Sequence, residues 1–111
     1  MSPSRPRDPA IEILKALADP IRLKIMSRIV SSKELACTTL ELELPISKST
    51  ISYHMRILHA AELIDIRKEG KFYHYTARRE VMDDVMPGLA TWLDGRVSAA
   101  SDKRRRTAVK P

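Results

Sequence analysis

The stretch PISKSTISYHMRIL, residues 45–58, governs the fold and function predicted for this chain. Its apolar residues Ile51, Met55 and Leu58 recur at helical spacing, which predicts a helix with one side in the core. Ser47 precedes the first turn and is a preferred N-cap residue. The other side of the helix carries hydroxyls and positive charge, and no Asp or Glu follows before residue 61. Such a helix is either a plain surface helix or one that reads DNA.

Helical periodicity and capping signals upstream of this stretch predict three further helices. The first covers residues 9–18, and Asp19–Pro20 starts the second, because Asp caps a helix and Pro suits its first position. On the second helix the periodicity places Arg22, Lys24 and Arg28 outward. Ser31 and Glu34 have the spacing of a capping box, which predicts a third helix through about residue 42.

The periodicity changes downstream of residue 61. Residues 63–68 and 72–76 are rich in branched and aromatic side chains, which predicts two strands joined by a hairpin tip at 69–71. A last helical region covers 79–97, and Pro87–Gly88 predicts a break within it. The resulting order, ααααββα, is mainly α with a small β-hairpin. It is the order of a winged helix-turn-helix, in which the hairpin is the wing.

Length and charge limit what the chain can be. Its 111 residues suffice for one domain, predicted over 9–97, with a disordered lead-in at 1–8 and a disordered basic tail at 98–111. The tail holds five of the 20 Lys and Arg residues against one acid, so the predicted domain is only mildly basic. Any binding to an anionic polymer must therefore come from local patches. No signal peptide or membrane span is recognisable, and a single cysteine excludes an intrachain disulfide, which predicts a cytoplasmic protein.

Ten residues are predicted to contact double-stranded DNA, because they combine donors, hydroxyls and positive charge on the helix or the hairpin. They are Ser47, Lys48, Ser49, Thr50, Ser52, Tyr53 and Arg56 on the helix, and Arg67, Lys68 and Lys71 on the wing. Each feature alone also fits a solvated surface, and His54 fits a packed histidine better than a base reader. Together with the element order they favour a sequence-specific DNA-binding regulator. The alternative is a winged-helix protein-interaction module that reads no specific DNA.

Two stretches resemble the ArsR/SmtB family of bacterial winged-helix repressors: LKALADPIRLKIMSRI (14–29) and ISKSTISYHMRILHAAELIDIRKEGKFYHYTA (46–77). The resemblance implies a homodimer built through the first and last helices, which binds an inverted-repeat operator and represses until a ligand releases it. The chain departs from the family pattern at two turns, where Pro45 and Glu62 replace glycines. Glu62 would be strained if its backbone is left-handed.

The family's known sensor sites are incomplete in this chain. One is a Cys-x-Cys pair, but the corresponding stretch Ala36–Cys37–Thr38 has a single cysteine. The other uses Asp and His on the last helix, where residues 78–97 contain no histidine. We therefore expect no metal and no other cofactor. Cys37 is either a redox sensor or, as favoured here, a small buried residue. Two further alternatives are a small organic effector that binds in the dimer interface near Trp92, and a regulator without an effector. The sequence does not distinguish between them.

Catalysis is not expected. The sequence contains no phosphate-binding glycine loop, no nucleophile elbow and no metal-hydrolase motif. Ser52, Tyr53 and His54 are adjacent in the chain, but neighbours on a helix point about 100° apart and cannot form a relay.

Overall fold

The structure is a computed structural model that describes residues 8–96. Its elements, in chain order, are α1 (Pro9–Leu17), α2 (Pro20–Val30), β1 (Leu35–Ala36), α3 (Cys37–Glu43), α4 (Lys48–Ala60), β2 (Ile64–Glu69), β3 (Phe72–Ala77), α5 (Arg79–Val85) and a last helical segment, α6, over 89–96. Apart from Asp8, which caps α1, the segments predicted to be disordered lie outside the described residues.

Two predicted helix starts are confirmed by their capping hydrogen bonds. The Asp19 carboxylate accepts from the backbone N–H of Ile21 at 2.9 Å and of Arg22 at 3.0 Å. The hydrogen bond from Arg22 lowers the pKa of Asp19. The Ser47 hydroxyl accepts from the backbone N–H of Thr50 at 3.2 Å. Both caps satisfy donors that have no partner within the first helical turn, which fixes where α2 and α4 begin.

The predicted capping box before the third helix is wrong. The helix starts later, at Cys37, and its N-cap is Ala36, which makes no side-chain capping bond. The Ser31 hydroxyl instead bonds back to the Ser27 carbonyl at 2.8 Å. Between α2 and α3 lies β1, a strand of two residues that pairs with β3. So short a strand has no periodicity of its own, so only its partner strand reveals it.

The sheet has three antiparallel strands in the order β1-β3-β2. Ile66 pairs with Tyr75, and the next pair along is Arg67 with His74. Because side chains alternate between the faces of a sheet, these two pairs lie on opposite sides. Tyr75 is buried on the core side, and Arg67 is exposed on the outer side. The wing therefore presents its Arg67 face to solvent.

One hydrophobic core joins the helices to the base of the wing. The predicted inner residues of α4, Ile51, Met55 and Leu58, are at most 2% exposed, which confirms the predicted side. The predicted break in the last helical region is confirmed as well, since α5 ends at Val85 and Gly88 has a φ of 89°. Within residues 8–96, no helix is long and apolar enough to cross a membrane.

Candidate nucleic-acid interface

The outer side of α4 is polar, exposed and free of acids. Lys48, Ser49, Ser52, Tyr53 and Arg56 are all exposed, and no acidic residue lies in the first turn. At the start of the helix, the Ser47 hydroxyl lies 3.1 Å from the hydroxyl of Ser49 and 2.9 Å from that of the half-buried Thr50. The helix thus brings the seven predicted contact residues to one end and one side. Hydroxyls and cations in this arrangement suit phosphates and base edges.

The wing differs from α4 because its arginine already has partners. Arg67 donates through Nε and Nη2 to both carboxylate oxygens of Glu34, at 3.0 and 2.8 Å. Its Nη1 donates to Glu69 at 3.2 Å. These bonds lower the pKa of Glu34 and raise that of Arg67. His74 lies between the two carboxylates, with ring nitrogens 3.8 Å from Glu34 and 3.6 Å from Glu69.

The two wing lysines are placed differently from Arg67. Lys68 lies on the core side of the hairpin, with Nζ 5.8 Å from the centre of the Tyr73 ring. Lys71 lies beside Gly70, whose φ of 63° forms the hairpin tip. Within residues 8–96, neither lysine makes an ion pair. An anionic partner would therefore break no ion pair at either lysine in this part of the chain.

A cleft of about 610 Å³ separates the start of α4 from the wing. Lys48 lines it on the helix side and Lys71 on the wing side, with Glu41 and Glu69 also in its walls. A phosphate in this cleft would meet both lysines, whereas its approach to the glutamates would be unfavourable. The cleft therefore carries two lysines and two glutamates, and the glutamates limit where an anion could lie.

Arg22 does not lie on the solvent side of α2, where helical periodicity predicted it. Instead of facing solvent from α2, its Nε donates to the Ala16 carbonyl at 2.6 Å and its Nη1 lies 3.2 Å from Nδ1 of His54. His54 is only 7% exposed, so the prediction that it is packed is confirmed. Periodicity within α2 could not reveal these contacts, because both partners lie on other helices.

An apolar groove of about 500 Å³ opens between α1 and the last helical segment. Leu14, Leu17 and Leu23 line one side, and Met86, Leu89 and Trp92 line the other. Leu14 is 47% exposed and Trp92 is 52% exposed, which is a large apolar surface for a face that meets only water.

Comparisons with known proteins agree with this geometry. A family model described as a helix-turn-helix domain matches residues 17–67. The arsenical resistance operon repressor of Staphylococcus aureus is 35% identical over 77 residues, which cover 69% of this chain and 73% of that repressor. The transcriptional repressor SdpR of Bacillus subtilis is 32% identical over 82 residues, which cover 74% of this chain and 90% of SdpR. This chain belongs to the ArsR/SmtB family.

Solved structures extend the match to three dimensions. HlyU from Vibrio cholerae superposes with a TM-score of 0.62 at 32% identity, covering 69% of this chain and 84% of HlyU. The repressor PagR of Bacillus anthracis superposes with a TM-score of 0.62 at 26% identity, covering 78% of this chain and 93% of PagR. This ArsR/SmtB protein is therefore a DNA-binding transcriptional regulator with a winged helix-turn-helix fold.

The positions that correspond to the family's sensor sites are Cys37 and the last helical region. Cys37 is 5% exposed, its Sγ donates to a Glu41 carboxylate oxygen at 3.5 Å, and burial raises the pKa of its thiol. The nucleophilic thiolate is therefore scarce at neutral pH. Among residues 8–96, no three His, Cys, Asp or Glu side chains are grouped so that they could hold a metal ion.

Proposed function

We propose that this ArsR/SmtB regulator is a homodimeric cytoplasmic repressor that reads an inverted-repeat operator with α4 and the wing. In this proposal each α4 enters a major groove, and Lys71 at the wing tip meets a flanking phosphate or the minor groove. In this proposal the regulator's own residues carry out no catalysis. The observation that carries the proposal is the exposed side of α4, which combines Lys48, Ser52 and Arg56 with the absence of any acid.

Three physical points support α4 as the reading helix. A major groove admits one α-helix, and the residues near its N-terminal end reach base edges. In α4 that end carries the Ser47 cap and Lys48, so helix N–H groups and a cation lie together. The apolar side of the same helix is fully occupied by the core, so only its polar side is available to a partner.

The apolar groove supports dimerisation through α1 and the last helical segment. Ile11 and Leu14 on α1, together with Met86 and Trp92, are each at least 40% exposed. A second copy that covered them would remove this apolar surface from water, which stabilises association. A two-fold dimer would also present two α4 helices, and these would require two half-sites about 34–36 Å apart on one face of the duplex.

The test is fluorescence anisotropy with a duplex taken from the region upstream of the regulator's own gene. Titrations at several salt concentrations are compared with a scrambled duplex of equal length. Selective binding of the upstream duplex with a steep salt slope is expected, because an operator-reading protein combines base contacts with phosphate contacts. Equal weak binding to both duplexes, and to fragments selected from the whole genome, would contradict operator reading and favour the protein-interaction module.

The dimer is tested separately by light scattering coupled to gel filtration. The wild type is expected to elute with the mass of two chains, and Leu14→Glu with the mass of one, since a buried unpaired carboxylate disfavours the interface. Lys24→Glu, on an exposed position of α2, is the control for the change in charge. A wild type that is monomeric at all concentrations would contradict this part of the proposal.

A further inference from the structure

Arg22 connects three helices through one side chain. Its own backbone belongs to the first turn of α2, where the Asp19 cap holds its N–H. Its guanidinium bonds to the Ala16 carbonyl on α1 and to His54 in the middle of α4. The backbone N–H, Nε and Nη1 of Arg22 thus each have a partner.

The bond to α1 has a specific cause in the sequence. The Ala16 carbonyl would normally accept from the N–H four residues later, but residue 20 is a proline and has none. Ala16 therefore lies in the last turn of α1 with a carbonyl that needs an outside donor. Arg22 Nε supplies that donor at 2.6 Å, and its positive charge suits the C-terminal end of a helix.

The bond to α4 assigns the role of one ring nitrogen of His54. A guanidinium has donors only and stays protonated in proteins, so Nδ1 of His54 must be the acceptor at 3.2 Å. An imidazole that accepts at Nδ1 has its donor at Nε2. His54 is 7% exposed, so water competes little for this bond.

The hydrogen bond between Arg22 and His54 is a directional contact between α4 and the rest of the domain. Ile51, Met55 and Leu58 hold the helix by apolar burial, which is not directional and tolerates small rotations. A hydrogen bond is sensitive to angle and distance, so Arg22 restricts the rotation of α4 about its own axis. Next to His54, the exposed Tyr53 ring lies 5.2 Å from the imidazole, edge to face, on the side proposed to read DNA.

We infer that Arg22 and His54 are positioning residues for DNA reading, which set the rotation of α4 relative to α1. Neither residue contacts DNA in this inference, which rests on the proposed function. Since α1 also lines the groove proposed as the dimer interface, the same contact ties the spacing of the two reading helices to the rotation of each. Specific binding depends on that rotation, whereas nonspecific attraction to phosphates does not.

The experiment measures affinity for the selected operator and for the scrambled duplex in four variants. Arg22→Met removes the donor and keeps the aliphatic stem, and His54→Leu removes the acceptor. The double variant combines both changes. His54→Asn is the rescue variant, because its amide oxygen lies near the place of Nδ1 and can accept from Arg22. Arg56→Ala is run in parallel as a variant of the reading surface itself.

Each single variant is expected to bind the operator about tenfold more weakly, because a misoriented α4 loses about one good contact to the bases, with the scrambled duplex little affected. The double variant should be no weaker than the weaker single variant, because both remove the same bond. His54→Asn should bind nearly as the wild type does.

Full operator affinity of His54→Leu, equal losses on both duplexes, or losses that add in the double variant would overturn the inference. If His54→Leu does not fold, His54→Gln replaces it, since its longer side chain places the acceptor near Nε2 instead. Equal operator affinity of the Asn and Gln variants would then overturn the inference. A wild type without operator selectivity would instead show that the proposed function has failed, which is a different result from a selective wild type with unaffected variants.

Discussion

The reading helix and the wing both carry basic side chains, but their charges are available to different degrees. On α4, Lys48 and Arg56 are exposed, and within residues 8–96 neither makes an ion pair. On the wing, Arg67 is held by Glu34 on one side and Glu69 on the other. A phosphate would have to compete with two carboxylates for Arg67, whereas Lys48 has no ion pair within residues 8–96 that a phosphate would have to break. A count of basic residues therefore overstates the positive charge that the wing presents.

The comparison also indicates different tasks for the two regions. The Arg67 bonds reach from β2 across β3 to Glu34, which directly precedes β1, so they tie the outer strands of the sheet together. Such exposed pairs contribute little stability each, but a network of several charges restricts the orientation of a hairpin. We interpret Arg67 as a residue that holds the wing in place, and the proposed function gives Lys71 the contact with DNA.

Arg56→Ala tests the reading helix and has the largest expected effect. If Arg56 pairs with a guanine, the variant loses roughly 1–3 kcal/mol of operator binding, and the selectivity over other duplexes falls with it. Anisotropy with the operator and the scrambled duplex measures both quantities. Lys24→Ala on α2 is the control for loss of one positive charge. Similar losses on the two duplexes would assign Arg56 to a phosphate, and no loss on either would remove it from the interface.

A pair of wing variants tests whether Lys71 and Arg67 differ as described. Each phosphate contact that is lost lowers the slope of log affinity against log salt by about 0.9. The proposed dimer has two wings, so we expect a decrease of about 1.8 for Lys71→Ala. We expect almost none for Arg67→Ala, because Arg67 is already neutralised by its carboxylates. Operator titrations at four salt concentrations give both slopes. A larger decrease for Arg67→Ala would show that DNA displaces Glu34 and Glu69, and the comparison between helix and wing would then fail.

The turns at the two ends of β2 provide a third test, because both residues are left-handed but only one is glycine. Glu62, between α4 and the wing, has a φ of 63°, and Gly70 at the wing tip has the same φ. Glu62→Gly should raise the free energy of unfolding by about 1 kcal/mol, since a side chain is disfavoured in this conformation. Gly70→Ala should lower it by a similar amount for the same reason. Urea denaturation measures both changes.

The Glu62 variant also loses an exposed contact with Arg78 at 3.5 Å, which contributes little. Glu62→Ala is the matched control, since it loses the same contact but keeps a side chain at the left-handed position. Equal stabilities of the Gly and Ala variants would show that backbone strain at this turn is not significant.

The smallest expected effect is the pH dependence of the wing network. Arg67 lowers the pKa of Glu34, so the stabilisation is complete above the ordinary carboxyl range and is lost as the pH falls through the folded-state value. Thermal unfolding of the wild type and of Glu34→Gln is measured between pH 2.5 and 5.5. The wild type should be the more stable protein at the upper end, and the two should converge at the lower end. A difference that persists at the lowest pH would show that the charge of Glu34 is not its cause.

Sequence patterns were sufficient where a feature depends on near neighbours. Asp19 and Ser47 were predicted as caps and are caps, because a cap bonds to N–H groups two or three residues ahead. The apolar side of α4 and the break at Pro87–Gly88 were predicted for the same local reasons. Glu62 was expected to be strained if left-handed, and it has a positive φ. The family was identified from two stretches of sequence, and the comparisons confirm it.

Sequence patterns failed where a partner lies far along the chain. Glu34 was assigned to a capping box with Ser31, but its carboxylate belongs to Arg67, 33 residues away. The strand β1 was missed because its definition depends on pairing with Tyr75 and His74. Arg22 was placed outward, since helical periodicity describes one helix and not the carbonyl and imidazole that two other helices bring to it.

The sequence by itself determined which segment is the candidate for reading DNA. A capped, acid-free amphipathic helix follows from residues within a few turns of each other, and no other part of the chain is needed to recognise it. Only the tertiary structure decided which basic side chains among residues 8–96 are without an ion pair and which contacts orient α4. Arg67 and Arg22 have the same side chain, and their different roles come from the carboxylates, the carbonyl and the imidazole that folding places beside them. Long-range packing, not local sequence, therefore determines the partner of each guanidinium.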